Sequence, residues 1–558
     1  MANIMSLKSL RNKTSRNGFD LSTKRNFTAK VGELLPVGHW AVLPGDNFNI
    51  NLKSFTRTQP INTAAFARIR EYYDFFFVPY NMLWNKANTV LTQMYDNSQH
   101  SVNYYPSSNE LLDGSVPYVT CKGLADYIYN MFSGYDNYFG YNRGVLTVKL
   151  LQYLGYGDFS YYMGNSWSQG DPTTTMKNNL QLNLFPLLAY QKIYADYFRD
   201  SQWERVSPSR FNVDYITGFS GSTHVDLSQM LDGAHALNNY YNYLDLNYCN
   251  WQKDLFHGVV PRQQYGDVST VVSDVVDNPS VSEVKITEFS ILALRQAEFL
   301  QKWKEITLSA NKDYKEQIDK HWNVSTGDAF SEMCTYLGGI SSSLDINEVV
   351  NSNITESFAA DIAGKGTGVS NGSIRFNNPT NQYGVIMCIY HALPLIDYTT
   401  SLVDPMLTKV NVEDFAIPEF DRVGMQGVPS AIFSNPVGTL SELEVPDILG
   451  YAPRYIEYKT GIDYSVGAFK KGLKNWVISF DDSSFANQLG SKGSAETPTP
   501  APSGAPQANY TMFKVNPNSV DPLFGVKANA EVDTDQFLCS TFFDIKAVRN
   551  LDTDGLPY

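Results

Sequence analysis

Charge is scarce in this chain. Only 18% of its 558 residues are Asp, Glu, Lys or Arg, against about a quarter in an ordinary soluble protein. Cysteine is scarcer still: Cys121, Cys249, Cys334, Cys388 and Cys539 are odd in number, far apart and free of any CxxC spacing. That excludes a disulfide framework and a cysteine metal knuckle, and reads as reduced cytosolic thiols. Long apolar runs are missing as well. Phe75–Val78 and Val385–Tyr390 fall far short of a membrane span, and no hydrophobic stretch near the start resembles a secretory signal.

Catalytic motifs are equally scarce. There is no HExxH, GxSxG or GxxxxGK[ST] pattern. Gly364-Lys365-Gly366-Thr367-Gly368 is rich in glycine, but a phosphate cradle needs a strand before it and a helix after it, and this stretch reads as a loop. The histidines (His39, His100, His224, His235, His257, His321, His391) include no i,i+4 pair and read as isolated polar residues. Asp481-Asp482 and Asp552/Asp554 read as solvated turns, since the EF-hand pattern is lacking. No metal, cofactor or catalytic residue is assigned.

Aromatics are abundant: 36 Tyr, 32 Phe and 8 Trp bring the aromatic share to 14%. Tyrosine joins a wide apolar face to a polar tip and is enriched at interfaces. Low charge with much tyrosine therefore points to extensive contact surface, or alternatively to a large tyrosine-rich core. The net charge of −14 is uneven. Residues 1–30 hold Lys8, Arg11, Lys13, Arg16, Lys24, Arg25 and Lys30 against Asp20, a net of +6 that leaves −20 on the rest. A basic arm on an acidic body suggests a nucleic-acid or anionic partner. Lys8, Arg11, Lys13, Arg16, Lys24 and Arg25 are the candidate contacts, and a merely solvated terminus is the plain alternative. Residues 1–30 read as an extended arm that orders only against a partner.

From Val31 onward strand signals dominate. Phe48, Ile50 and Leu52 alternate with Asn49 and Asn51, the period of a half-buried strand. Ala67–Pro79 begins by alternating and ends fully apolar, as a strand buried on both faces does. Pro44-Gly45-Asp46 marks a turn. Further strands are expected at Gly384–Tyr390, Trp476–Phe480 and Phe537–Ile545. Residues 97–180, rich in Tyr, Asn, Gly and Ser, read as an irregular surface insertion. Helices are expected from Pro186, with Leu187, Tyr190, Tyr194, Tyr197 and Phe198 in register, and over Glu288–Leu308. In the second of these, Leu292, Phe299, Trp303 and Ile306 share a face that should lie on a core. Residues 482–508, rich in Pro, Ser and Gly, read as a flexible loop. Many short strands with long insertions fit a mainly β sandwich or jelly roll.

Several segments taken together resemble the major capsid proteins of the Microviridae, in particular the gokushovirus-like branch. They are Gly18-Phe19-Asp20-Leu21-Ser22, Gly32-Glu33-Leu34-Leu35-Pro36-Val37, Leu43-Pro44-Gly45-Asp46 and Phe55-Thr56-Arg57-Thr58-Gln59-Pro60. Phe76-Phe77-Val78-Pro79-Tyr80-Asn81-Met82-Leu83-Trp84 follows, with Asn81 where the family typically has Arg. Leu187–Tyr194, Tyr197-Phe198-Arg199-Asp200, Leu294-Arg295-Gln296-Ala297, Tyr336-Leu337-Gly338-Gly339 and Gly450–Lys459 continue the match in order along most of the chain.

The resemblance implies a viral eight-stranded antiparallel jelly roll with long loop insertions and a few helices. Residues 31–558 would form one capsid domain behind the arm 1–30. It implies no enzyme, but a structural protein whose sixty copies close a T=1 shell in the virion, assembled in the host bacterial cytoplasm. The implied partners are the chain itself, a single-stranded DNA genome, a small basic DNA-binding protein, minor virion proteins and a host surface receptor. The stretch Tyr265–Phe289 is short where the family carries a threefold protrusion, while 97–180 is enlarged, so a protrusion would be reduced or built elsewhere. A minor spike or adhesin, or a polysaccharide-binding β protein, is the competing reading.

Overall fold

The structure, a computed structural model, describes residues 15–61, 65–92, 115–167, 180–204, 206–216, 223–230, 242–261, 291–309, 313–350, 362–378, 380–421, 424–434, 448–485, 510–524 and 535–553. Its frame is a nine-stranded sheet. The strands are β1 (Asn17–Asp20), β2 (Thr23–Ala29), β3 (Leu35–Val42), β4 (Asn47–Thr58), β5 (Ile69–Pro79), β6 (Thr335–Val350), β7 (Ile362–Asn377), β8 (Gly384–Pro394) and β9 (Phe537–Arg549). Their order is β1-β9-β4-β7-β6-β5-β8-β3, with β2 also paired to β9, and every pairing is antiparallel.

The sheet curls over on itself, and β6 makes the turn. Its first part, Thr335–Leu344, pairs with β5, while Asp345–Val350 pairs with β7. The two halves therefore face each other across an aromatic core. Phe77 meets Phe376 at 4.9 Å between ring centres, and Tyr390 meets Phe27 at 5.1 Å. Trp40 and Phe75 both abut Phe543. The fold is mainly antiparallel β and jelly-roll-like.

Polar groups between the halves are satisfied, as burial demands. Tyr73 shares hydrogen bonds with Ser54 (2.5 Å) and Thr541 (3.2 Å). The fully buried Glu71 carboxylate accepts from Thr56, Ser342 and Ser370 at 2.7–2.9 Å. The glycine-rich stretch read as a loop, Gly364–Gly368, lies inside β7. A Cβ on Gly366 would come 2.5 Å from the Thr58 side chain, and one on Gly368 would come 2.5 Å from Leu344 and 3.0 Å from Glu71. These glycines serve close approach of neighbouring side chains, not a turn. Gly45, at φ +80°, does serve the expected turn, where Asp46 caps back onto the Leu43 amide at 2.8 Å.

The arm is the first correction. From Asn17 it is sheet: β1 and β2 pair with β9, so this part orders against its own chain without a partner. Local polarity hid it because β2 exposes most of its side chains and gains its place through backbone pairing and Phe27. The insertion is the second correction. Its described part carries α1 (Cys121–Phe132) and α2 (Arg143–Tyr153), capped by the Thr120 and Asn142 side chains. Leu124, Tyr127, Ile128, Leu150 and Leu151 are fully buried in the main core.

Helix α3 (Phe185–Ile193) holds Pro186 in its first turn as expected and buries Leu187 and Tyr190. With the turn Tyr194–Phe198 it covers β5, Phe198 meeting Phe76 at 5.8 Å. That is why the apolar end of β5 is buried on both faces. The expected strand at Trp476–Phe480 shrinks to Ser479–Phe480, which runs parallel to Asp397–Tyr398. A second, smaller core beside it gathers Trp203, Phe256, Tyr398, Phe433, Phe480 and Phe513. Much of the tyrosine is core: Tyr73, Tyr127, Tyr190, Tyr243, Tyr248, Tyr390 and Tyr398 are fully buried. Residues 486–508 of the expected flexible loop lie outside the described residues, while Phe485 beside it is buried in the second core.

Candidate assembly and nucleic-acid surfaces

Lys8, Arg11 and Lys13 lie outside the described residues. The structure separates the other three candidates. Arg16 is exposed and donates to the Gly45 carbonyl. Lys24 is exposed on the outer face of β2. Arg25, on the opposite face, points inward and donates to the Tyr153 carbonyl at 3.3 Å. Burial holds its guanidinium below its usual basicity. Alternation along β2 thus divides two neighbouring cations that the sequence treats alike.

Buried charge is used for structure. Lys149 bridges Glu33 (2.7 Å) and Asp535 (2.9 Å), joining α2 to the chain just after β2 and just before β9. Burial alone would depress its ammonium, but the two carboxylates hold it above its ordinary range. Burial raises Glu33 despite the same contact. Arg143 grips Asp245 through Nε and Nη2, and Lys514 meets Glu204 at 3.2 Å. The densest polar group in the second core is His257, whose Nδ1 lies 2.6 Å from the Tyr398 hydroxyl, which in turn donates to Asp254. Tyr398 is 1% exposed and ringed by Phe256, Phe433 and Phe480. Its surroundings make it part of the packing of this core. Among the described residues no group of three His, Cys, Asp or Glu could hold a metal ion.

Two other surfaces are unusually apolar for solvent. Helix α4 (Ile291–Ser309) forms a hairpin with α5 (Tyr314–Trp322). Its apolar face does not lie on the core as expected: Phe299 is 67% and Trp303 55% exposed, and Trp322 at the end of α5 is 73% exposed. Trp303 touches only the neighbouring hairpin helix among its described ring partners, at His321. The second surface is the irregular segment 403–420, where Leu407, Val410 and Val412 are 75%, 80% and 81% exposed. Single exposed apolar residues are ordinary, but clusters of this kind mark contact sites. The periodicity of α4 shows an apolar stripe without telling whether core or partner covers it.

A curled antiparallel β body whose buried charges are paired for structure, with apolar clusters left outside, fits the class of self-associating structural proteins. The comparisons with known proteins agree and are more specific. The phage capsid protein (F protein) family matches residues 8–154 and 275–558. The chain belongs to that family and is a structural major capsid protein of a small phage, a component of the virion and not an enzyme. It is 23% identical to the capsid protein VP1 of Bdellovibrio phage phiMH2K, over 98% of this chain and 95% of that one. It is also 23% identical to the capsid protein VP1 of Chlamydia phage 1, over 97% and 95%. A capsid protein of this family self-assembles into a shell. Among the described residues no helix is long and apolar enough to cross a membrane.

Proposed function

We propose that sixty copies of this capsid protein close a T=1 shell around a single-stranded DNA genome. The observation that carries the reading is the pair of exposed apolar clusters on α4–α5 and on 403–420. Closed symmetry multiplies even weak contacts, because every copy repeats them. The acidic body keeps the particle soluble. The arm before Asn17, with Arg16, Lys24 and the cations at 8, 11 and 13, would face the genome and touch phosphates without reading sequence. A small basic DNA-binding protein, minor virion proteins and a host surface receptor complete the proposed partners.

Electron microscopy of the purified chain tests it. Closed particles of one diameter are expected, and Leu407→Asp with Val412→Asp should leave a folded, unassembled subunit. A wild-type chain that stays monomeric across concentrations, or a double variant that assembles normally, overturns the reading.

A further inference from the structure

The outward face of the half-sheet β2-β9-β4-β7 presents a composition unlike the rest of this acidic chain. Strict alternation along β4 turns Phe48, Ile50 and Leu52 inward and Asn49, Asn51, Lys53, Phe55 and Arg57 outward. Register then sets the outward residues in rows. Lys24, Phe542, Lys53 and Asn371 stand side by side, and the next row is Asn26, Ser540, Phe55 and Val369. The third is Thr28, Leu538, Arg57 and Thr367. Lys365 and Arg375 project from the same side of β7, exposed.

The face is cationic. Among the described residues Lys24, Lys53, Arg57, Lys365 and Arg375 are not ion-paired, while Asp20 and Asp544 are both drawn to Lys546 at 2.6 and 3.5 Å. Asp345, opposite Thr367, is the acid at its far edge. Two rings stand among these cations. Phe55 is 40% and Phe542 42% exposed, and the Arg57 guanidinium lies 5.0 Å over the Phe55 ring. The two are diagonal neighbours across β4 and β9, a separation of about 7–8 Å at the backbone.

We propose that this face is a platform for single-stranded nucleic acid, with bases stacked on Phe55 and Phe542 and phosphates held by Lys24, Lys53, Arg57, Lys365 and Arg375. Exposed rings among cations suit unstacked bases, because a duplex hides its base faces and offers only its backbone. A protein partner fits less well: lysine is depleted in protein interfaces, and this face is mostly Lys, Asn, Ser and Thr. The small polar residues add hydrogen bonds to backbone oxygens without selecting a sequence. The platform rests on the coat-protein reading above, in which one face of each copy looks onto the enclosed genome.

Anisotropy of a labelled oligothymidylate, titrated with purified chain at several salt concentrations, tests the proposal. Phe55→Ala with Phe542→Ala should weaken binding by about 10- to 100-fold. Lys53→Gln with Arg57→Gln should flatten the log–log salt slope by about 1.4, roughly 0.7 for each lost phosphate contact. All four side chains are exposed, and circular dichroism confirms the fold of each variant. Lys302→Gln, on the exposed side of α4, is the control and should change neither. Affinity and slope unchanged in both double variants, or an equal loss in the control, overturns the platform. So does loss of particle assembly with intact oligothymidylate binding, which would make the face a contact between copies. Particle formation by the wild-type chain, scored separately by microscopy, shows whether the coat reading itself stands.

Discussion

Asp74 on β5 and His391 on β8 face each other with Oδ2 and Nδ1 3.8 Å apart, both largely buried, and Tyr72 stacks flat on the imidazole. Burial raises the Asp74 carboxyl to about 6 and lowers His391 to about 4. The neutral forms are therefore favoured on both sides in mild acid.

The signs of these shifts oppose. A raised carboxyl gives stability in acid that is lost as pH rises through about 6, while a depressed histidine gives stability above its unfolded value that is lost as pH falls toward about 4. Between about 4 and 6 the folded chain keeps one proton on Asp74, and the unfolded chain keeps one on His391. Their slopes cancel. Asp74→Asn should unmask the histidine, so that stability falls by roughly 3 kcal/mol from pH 6.5 to 4 relative to wild type. His391→Asn should do the reverse, gaining stability as pH falls through 6. Denaturant unfolding of each variant across that range decides it, and parallel pH profiles in all three proteins would refute the cancellation.

Lys149 stands between Glu33 and Asp535 in the interior. Lys149→Met keeps the stem and strands two buried carboxylates. A loss of about 3–5 kcal/mol is expected, read as a lower denaturation midpoint, with partial recovery in acid as the carboxylates protonate. A variant as stable as wild type at pH 7 would contradict this account.

Truncation should divide the basic arm in two. Removing residues 2–14 should leave the fold intact and lower the nucleic acid recovered with particles. Removing 2–25 takes away β1 and the start of β2, which are paired with β9, and should yield unstable or insoluble chain. Equal solubility of the two truncations would refute a structural role for the sheet part of the arm.

All five cysteines are buried, and burial raises Cys249 and Cys539 to about 12 and pushes Cys334 and Cys388 well above the ordinary thiol value. A thiolate is the reactive form. Native chain should therefore show negligible labelling by a thiol-specific disulfide reagent at pH 8, and five equivalents after unfolding. Rapid labelling of the native chain would contradict the packing.

What could be read beforehand follows from where the deciding physics lies. Alternation at Phe48–Leu52, the apolar end of β5 and Pro186 are local signals, and they placed β4, β5 and α3 correctly. The sheet order needed pairing between residues some 500 positions apart, such as Phe543 with Thr23, which no local pattern encodes. Arg25 and Lys24 differ only in which way the strand turns them. The platform was hidden for a related reason: Phe55 and Phe542 are 487 positions apart in sequence and become neighbours through register alone.

That register has a consequence for biosynthesis. The final strand β9 lies between β4 and the β1–β2 edge, so the early strands leave the ribosome with their partner still unmade. An open β edge is an invitation to aggregate. Closure comes only when Phe537–Arg549 has emerged, which makes folding post-translational and denies a lattice position to any prematurely terminated chain.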